Sequence, residues 1–142
     1  MIRGSCLCAG VRFEFSRAVT PIGMCHCSQC RKVSGTASNA VVVVPESDLK
    51  WICGEELRQV YAKPTGWRTT FCRACGSPVP QLLPAGGAYW VPAGALDDDP
   101  GLDVGGHIFV GSKASWDEIA GNAPQYREGL PTREGLPTRT RN

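Results

Sequence analysis

Residues 25–30 read CHCSQC, which puts three cysteines and a histidine into six consecutive positions. Three thiolates this close can share one zinc ion, yet a closed tetrahedral site takes four ligands. Either a fourth ligand arrives from elsewhere in the chain, or one coordination position stays free. A free position is the pattern of a catalytic zinc.

The other five cysteines narrow the choice. FCRACGS holds Cys72 and Cys75 in a C-x2-C pair followed by Gly76, a common zinc half-site in which the turn brings both sulfurs to one side. Gly76 can take the positive φ that such a turn often needs. GSCLCAG holds Cys6 and Cys8, and on an extended strand residues two apart share a face. The two pairs together make a four-thiolate site that pins the N-terminal strand to a zinc-ribbon-like hairpin far along the chain. Metal-driven closure of so long a loop would be a large part of the folding free energy.

Cys25, Cys27 and Cys30 are then left over. Spacing alone does not force this partition, because CLC could instead pair with CHC. Cys53, His26 and His107 are the candidates for a fourth ligand to the middle group. Each also has a plain structural reading. His26 would point away from its neighbours on an extended segment, and His107 would be a half-buried histidine with a hydrogen-bond partner. Cys53 would be a small buried hydrophobe. Disulfides are disfavoured by the awkward C-x-C spacing and by the reducing compartment inferred below.

Short strands must position these residues. Val11, Phe13 and Phe15 alternate with Arg12, Glu14 and Ser16 in GVRFEFSR, which predicts a half-buried strand. SNAVVVVP predicts a fully buried one. RQVYAK, WRTTFC, AYWVPAG and HIFVG are further strand candidates. Helix is scarce. Ser34–Ala37 and PESDLKW each offer a turn, and SWDEIAG offers a short helix capped by Ser115, with Glu118 three residues on and Gly121 as a stop. The expected class is mainly β: a small β-sheet zinc fold with short strands and little helix.

Composition excludes several roles. A chain of 142 residues implies one domain. The net charge of +2 is accounted for by four arginines and two glutamates in residues 127–142, leaving residues 1–126 neutral. A nucleic-acid binder carries a basic stripe, and none is visible. No apolar run reaches 18 residues, and MIRGSCLCAG lacks the apolar core of a signal peptide, so a cytoplasmic protein without a membrane span is expected. REGLPT occurs at residues 127–132 and again at 133–138. Two copies make no solenoid, and residues 127–142 read as a largely unstructured tail behind a domain of residues 1–126.

GSCLCAGVRFEF, CHCSQCRKVSG, FCRACGSPV and HIFVGSKASWDEI together resemble the glutathione-dependent formaldehyde-activating family, whose domain is shared with centromere protein V. Order and spacing match over roughly residues 3–120, with seven cysteines in register. The resemblance implies a β-rich fold with two zinc ions. Cys6, Cys8, Cys72 and Cys75 would hold a structural zinc. Cys25, Cys27 and Cys30 would hold a catalytic one with an open position. It also implies condensation of formaldehyde with glutathione to S-(hydroxymethyl)glutathione, classed by its reverse as a carbon–sulfur lyase.

Three thiolates make zinc a poor Lewis acid, which favours binding a thiol over activating water and speaks against a hydrolase. The expected partners are a small thiol such as glutathione and an aldehyde, with no nucleic acid and no membrane; oligomerisation stays open. Glutathione needs cations for its two carboxylates, and Arg31, Lys32, Arg68, Arg73 and Lys113 are candidates. Trp67, Trp90 and Trp116 could wall a pocket or pack in the core. The alternative is a non-catalytic zinc module for a protein or chromatin partner, which a basic or apolar patch would favour.

Overall fold

Alternating apolar residues become sheet register in the fold, seen in a computed structural model that describes residues 1–131 except Arg17 and Val19. The strands are β1 (Ile2–Ser5), β2 (Arg12–Phe15), β3 (Ile22–Cys25), β4 (Asn39–Pro45), β5 (Leu49–Cys53), β6 (Arg58–Ala62), β7 (Arg68–Cys72), β8 (Gln81–Leu82), β9 (Ala88–Pro92) and β10 (Val104–Ile108). A single α-helix, α1 (Ser28–Ser34), lies among the described residues. The class is mainly β, as expected.

The described strands form three sheets, ordered β1-β2-β5, β10-β3-β4-β9-β8 and β6-β7. Neighbours are antiparallel except β10 and β3, which run parallel and place Ile108 beside Cys25. Phe13 and Phe15 of β2 bury against Val42 and Val44 of β4 and Tyr89 and Val91 of β9, so the core lies between the first two sheets. Trp51 of β5 meets Phe13 edge-on at 6.0 Å and Tyr89 at 5.8 Å. Its other face carries the Arg58 guanidinium 4.0 Å from the ring centroid.

Several expectations change in detail. In β4 only Val42 and Val44 are fully buried, because the other face of this sheet is incompletely covered. Cys6 and Cys8 do not lie on an extended strand. β1 ends at Ser5, and the chain turns back so that Ala9 N donates to Cys6 O at 2.8 Å. The strand expected over HIFVG comes earlier and ends at Ile108, since Phe109 adopts a left-handed φ of 56°. SWDEIAG forms no helix: Asp117 N closes a turn on Ala114 O at 3.1 Å, and Lys113 Nζ holds the Asp117 carbonyl at 2.8 Å. Trp116 is 71 % exposed rather than packed in the core.

The chain beyond residue 126 begins hydrogen-bonded to the fold. Phe109 N donates to Glu128 O at 2.8 Å and Gly111 N to Arg127 O at 3.1 Å. Residues 132–142, with the second REGLPT copy, lie outside the described residues.

The segment after Cys8 packs closely against the end of β5, with Gly54 against the Gly10 backbone and the Cys53 sulfur 3.6 Å from Gly10 O. Gly54 has φ of 80°, and a Cβ there would sit 2.8 Å from the Gly10 carbonyl carbon. Gly54→Ala therefore combines a left-handed strain with a backbone clash. It is expected to lower stability by more than about 2 kcal/mol, measured by urea unfolding against the parent chain.

Candidate functional site

Two separate groups of sulfur atoms converge. The Sγ atoms of Cys6, Cys8, Cys72 and Cys75 all lie within 4.8 Å of one another, and so do those of Cys25, Cys27 and Cys30. No other histidine, cysteine or carboxylate joins either group among the described residues.

The four-cysteine group is made by two facing turns. Cys6 and Cys8 lie on the turn after β1. Cys72 ends β7, and Gly76 N folds back onto Cys72 O at 2.7 Å to carry Cys75 round. Gly76 has φ of 77°, the left-handed geometry that this turn requires. Ser77 joins the two turns: its Oγ accepts from Leu7 N at 3.0 Å, and its carbonyl accepts from Cys72 N at 2.9 Å. Cys6 and Cys8 sulfurs are 3.5 Å apart, and Cys8 and Cys72 sulfurs 4.0 Å. Four sulfurs at zinc–sulfur bond length define a tetrahedron with edges of about 3.8 Å. The group is therefore already shaped to hold a zinc ion.

Two of these sulfurs, Cys6 and Cys75, sit where the anionic form is favoured, while neighbouring thiols push Cys8 up to about 11. Val11 N points at Cys6 Sγ from 3.2 Å. Cys75 lies 3.3 Å from Ser77 Oγ, and this contact, aided by the Ser77 amide, brings its thiol down to about 5.

The three-cysteine group is built on one short stretch. Cys25 ends β3, Cys27 caps α1, and Cys30 sits on the helix's first turn. Cys30 N donates to Cys27 Sγ at 3.4 Å. A hydrogen bond from Cys30 brings Cys25 down to about 6, and the same contact pushes Cys30 up.

The three residues weighed as a fourth ligand lie elsewhere. Cys53 is exposed, not buried, with its sulfur 3.6 Å from Gly10 O. His26 turns away from the sulfurs. Its Nε2 is 2.9 Å from Nδ1 of His107, and its Nδ1 is 3.2 Å from Asp117 Oδ2. His26 is 2 % exposed, His107 7 %, and the Asp117 side chain 14 %. Burial, together with His107, lowers the His26 pKa. The sequence reading treated these three residues separately. The signal that could have joined them is that the chain has two histidines in all and that one of them stands inside the cysteine motif.

A groove of about 820 Å³ runs past the chain neighbours of both groups, with Cys6 and Ser77 on one side and Met24, Ser34, Thr36 and Asn39 on the other. The one charged side chain in its lining is Asp97, which accepts from Ser5 Oγ at 2.9 Å. Of the candidate cations, Lys32, Arg68, Arg73 and Lys113 are exposed. Arg31 reaches Ser112 O at 3.3 Å, while its Nε is buried without a hydrogen-bond partner.

Comparison with known proteins identifies a family and a fold. A family model described as glutathione-dependent formaldehyde-activating enzyme matches residues 1–112. A crystal structure of a Rhodobacter sphaeroides protein superposes with a TM-score of 0.59 at 22 % identity, covering 87 % of this chain and 98 % of the other. At that identity the likeness establishes the fold. No curated protein matches the sequence significantly. No helix among the described residues is long and apolar enough to cross a membrane.

Two measurements follow from the geometry. Zinc binding to paired cysteine turns is worth about 10 kcal/mol or more at neutral pH, comparable to the whole stability of a domain this size. Stripping the chain with a strong chelator is expected to abolish its cooperative melting transition, followed by circular dichroism, and zinc is expected to restore it. Cys53→Ser should leave the bound zinc per chain unchanged in elemental analysis, whereas Cys72→Ser should lower it.

Proposed function

The chain belongs to the glutathione-dependent formaldehyde-activating enzyme family, and on that footing we propose that it is a zinc-dependent carbon–sulfur lyase. It forms or cleaves the adduct of a thiol with formaldehyde or another small aldehyde. The observation that carries this reading is the inequality of the two sulfur groups. Four cysteines complete one site, while Cys25, Cys27 and Cys30 leave theirs one ligand short. The first zinc is structural and the second takes part in the reaction.

Cys25, Cys27 and Cys30 would hold a zinc ion, which would supply Lewis-acid chemistry: a place for a thiol in its anionic form or for a polarised aldehyde oxygen. The chemistry itself is an addition. Sulfur bonds to the carbonyl carbon, the π pair moves to oxygen, and oxygen takes up the proton that the thiol gave. The reverse step breaks the same carbon–sulfur bond and returns the proton to sulfur, so no redox partner is needed.

The protein's part is to keep three sulfurs convergent and to receive the substrate. α1 sets Cys27 and Cys30 one turn apart, and β3 holds Cys25 in the sheet. Arg31 follows Cys30 directly, and its guanidinium, which also reaches Ser112 O at 3.3 Å, is the candidate cation for a carboxylate of a thiol such as glutathione. The groove beside α1 is hydroxyl-rich and receives the rest of the molecule.

Adduct formation also proceeds without a catalyst, so the test is an exchange rate. Magnetisation transfer between formaldehyde hydrate and its glutathione adduct should accelerate with the zinc-loaded protein. Cys27→Ser should cut that acceleration on the order of 100-fold or more while one zinc stays bound. No acceleration with glutathione or any other small thiol, or full activity in Cys27→Ser, would remove this reading.

A further inference from the structure

The buried chain Asp117–His26–His107 takes no part in either sulfur group, yet it passes through the middle residue of Cys25-His26-Cys27. We propose that it is a positioning device for the three-cysteine site, which ties the loop between Cys25 and Cys27 to two segments that arrive about eighty and about ninety residues later. The inference rests on the metal reading of that site and not on the reaction.

Three observations support it. The first is polarity in a buried place. Polar side chains this enclosed are costly unless paired, and a hydrophobic residue at position 26 would pack more cheaply. The second is that the chain is satisfiable in one direction. With both rings neutral, His26 Nδ1–H faces the Asp117 carboxylate, and His107 Nδ1–H donates to His26 Nε2 at 2.9 Å. His26 Nδ1 and Asp117 Oδ2 are 3.2 Å apart. Both atoms are buried and lack a well-aligned hydrogen bond. The third is attachment. His26 N donates to Ile108 O at 3.0 Å, so both the backbone and the ring of His26 are anchored to β10.

The consequence is geometric. The segment between Cys25 and Cys27 has two soft dihedrals per residue and no sulfur of its own at the centre. Fixing the ring of His26 fixes the direction in which its two neighbours project. Asp117 reaches His26 because the 114–117 turn and the Lys113 contact to the Asp117 carbonyl hold that carboxylate in place. Asp117 and His107 are thus positioning residues. Neither touches sulfur.

The test uses the full chain loaded with zinc, challenged by a chromophoric chelator. The thiols exposed at each stage are alkylated and located by mass spectrometry. In Asp117→Ala and in His107→Ala, one zinc equivalent should leave about 10-fold faster or more, the range seen when groups that orient metal ligands are removed. Cys25, Cys27 and Cys30 should be the thiols alkylated first. The other equivalent, at Cys6, Cys8, Cys72 and Cys75, should leave at the parent rate. Asp117→Asn keeps an acceptor for His26 Nδ1–H and should restore parent behaviour.

Parent release rates in both alanine variants would overturn the proposal. So would equal acceleration of both equivalents alongside a lowered melting temperature, which would mean general loosening. If an alanine variant fails to fold, Asp117→Leu and His107→Phe, which remove the acceptor and the donor while keeping side-chain volume, carry the same comparison. A parent chain that binds one zinc only would overturn it by removing the metal from the three-cysteine site. A parent that binds two but accelerates no thiol adduct would leave it standing.

Discussion

Everything in this fold depends on bringing four sulfur atoms together from two turns whose nearest cross-pair is 64 residues apart in the chain. The turn carrying Cys6 and Cys8 is otherwise held by a small buried cluster in which Cys6 and Val11 pack with Cys72 and Val79. Leu7 at its tip is 87 % exposed, and its opposite side rests on glycine backbone at Gly54. The second turn closes on itself through Gly76 and is tied to the first by Ser77. Between them lie six strands and the whole of α1, so joining the turns fixes the frame in which the other sulfur group is presented.

The contrast between the two groups is a contrast in how they are built. The complete one is a junction between distant segments, and a missing thiolate there would separate pieces of the fold. The incomplete one is local, made by a strand end and the first turn of a seven-residue helix. The backbone of this local cluster is held by sheet hydrogen bonds on both edges of β3, so its shape does not depend on a fourth thiolate.

Cysteine spacing made the three clusters legible in the sequence, because a thiolate pair two or three residues apart has few other uses, but which pairs face each other is decided by the fold. β2 was equally legible, since Phe13 and Phe15 alternate cleanly with charge. Other features depended on tertiary context. β3 is four residues, Ile22–Cys25, containing a glycine and none of the β-branched run that marks β4. β5 follows a turn that was visible at Pro45, yet its Lys50 and exposed Ile52 and Cys53 blur the alternation. SWDEIAG carried every local sign of a capped helix. Asp117 instead serves a histidine ninety-one positions earlier, and no local rule sees that partner. The link between His26 and His107 was hidden for the same reason, for it exists only once β10 lies parallel to β3.

That parallel pairing has a consequence for how the protein comes into being. Antiparallel β4 can join β3 soon after both are made, but β10 arrives roughly sixty residues later still. The four-sulfur junction has all its ligands once Cys75 is available, whereas the scaffold around Cys25 is unfinished until Ile108 docks. Synthesis from the N-terminus therefore completes the two sulfur groups in a fixed order: the four-cysteine group has all its members first, and the scaffold of the three-cysteine group is finished only on a nearly complete chain.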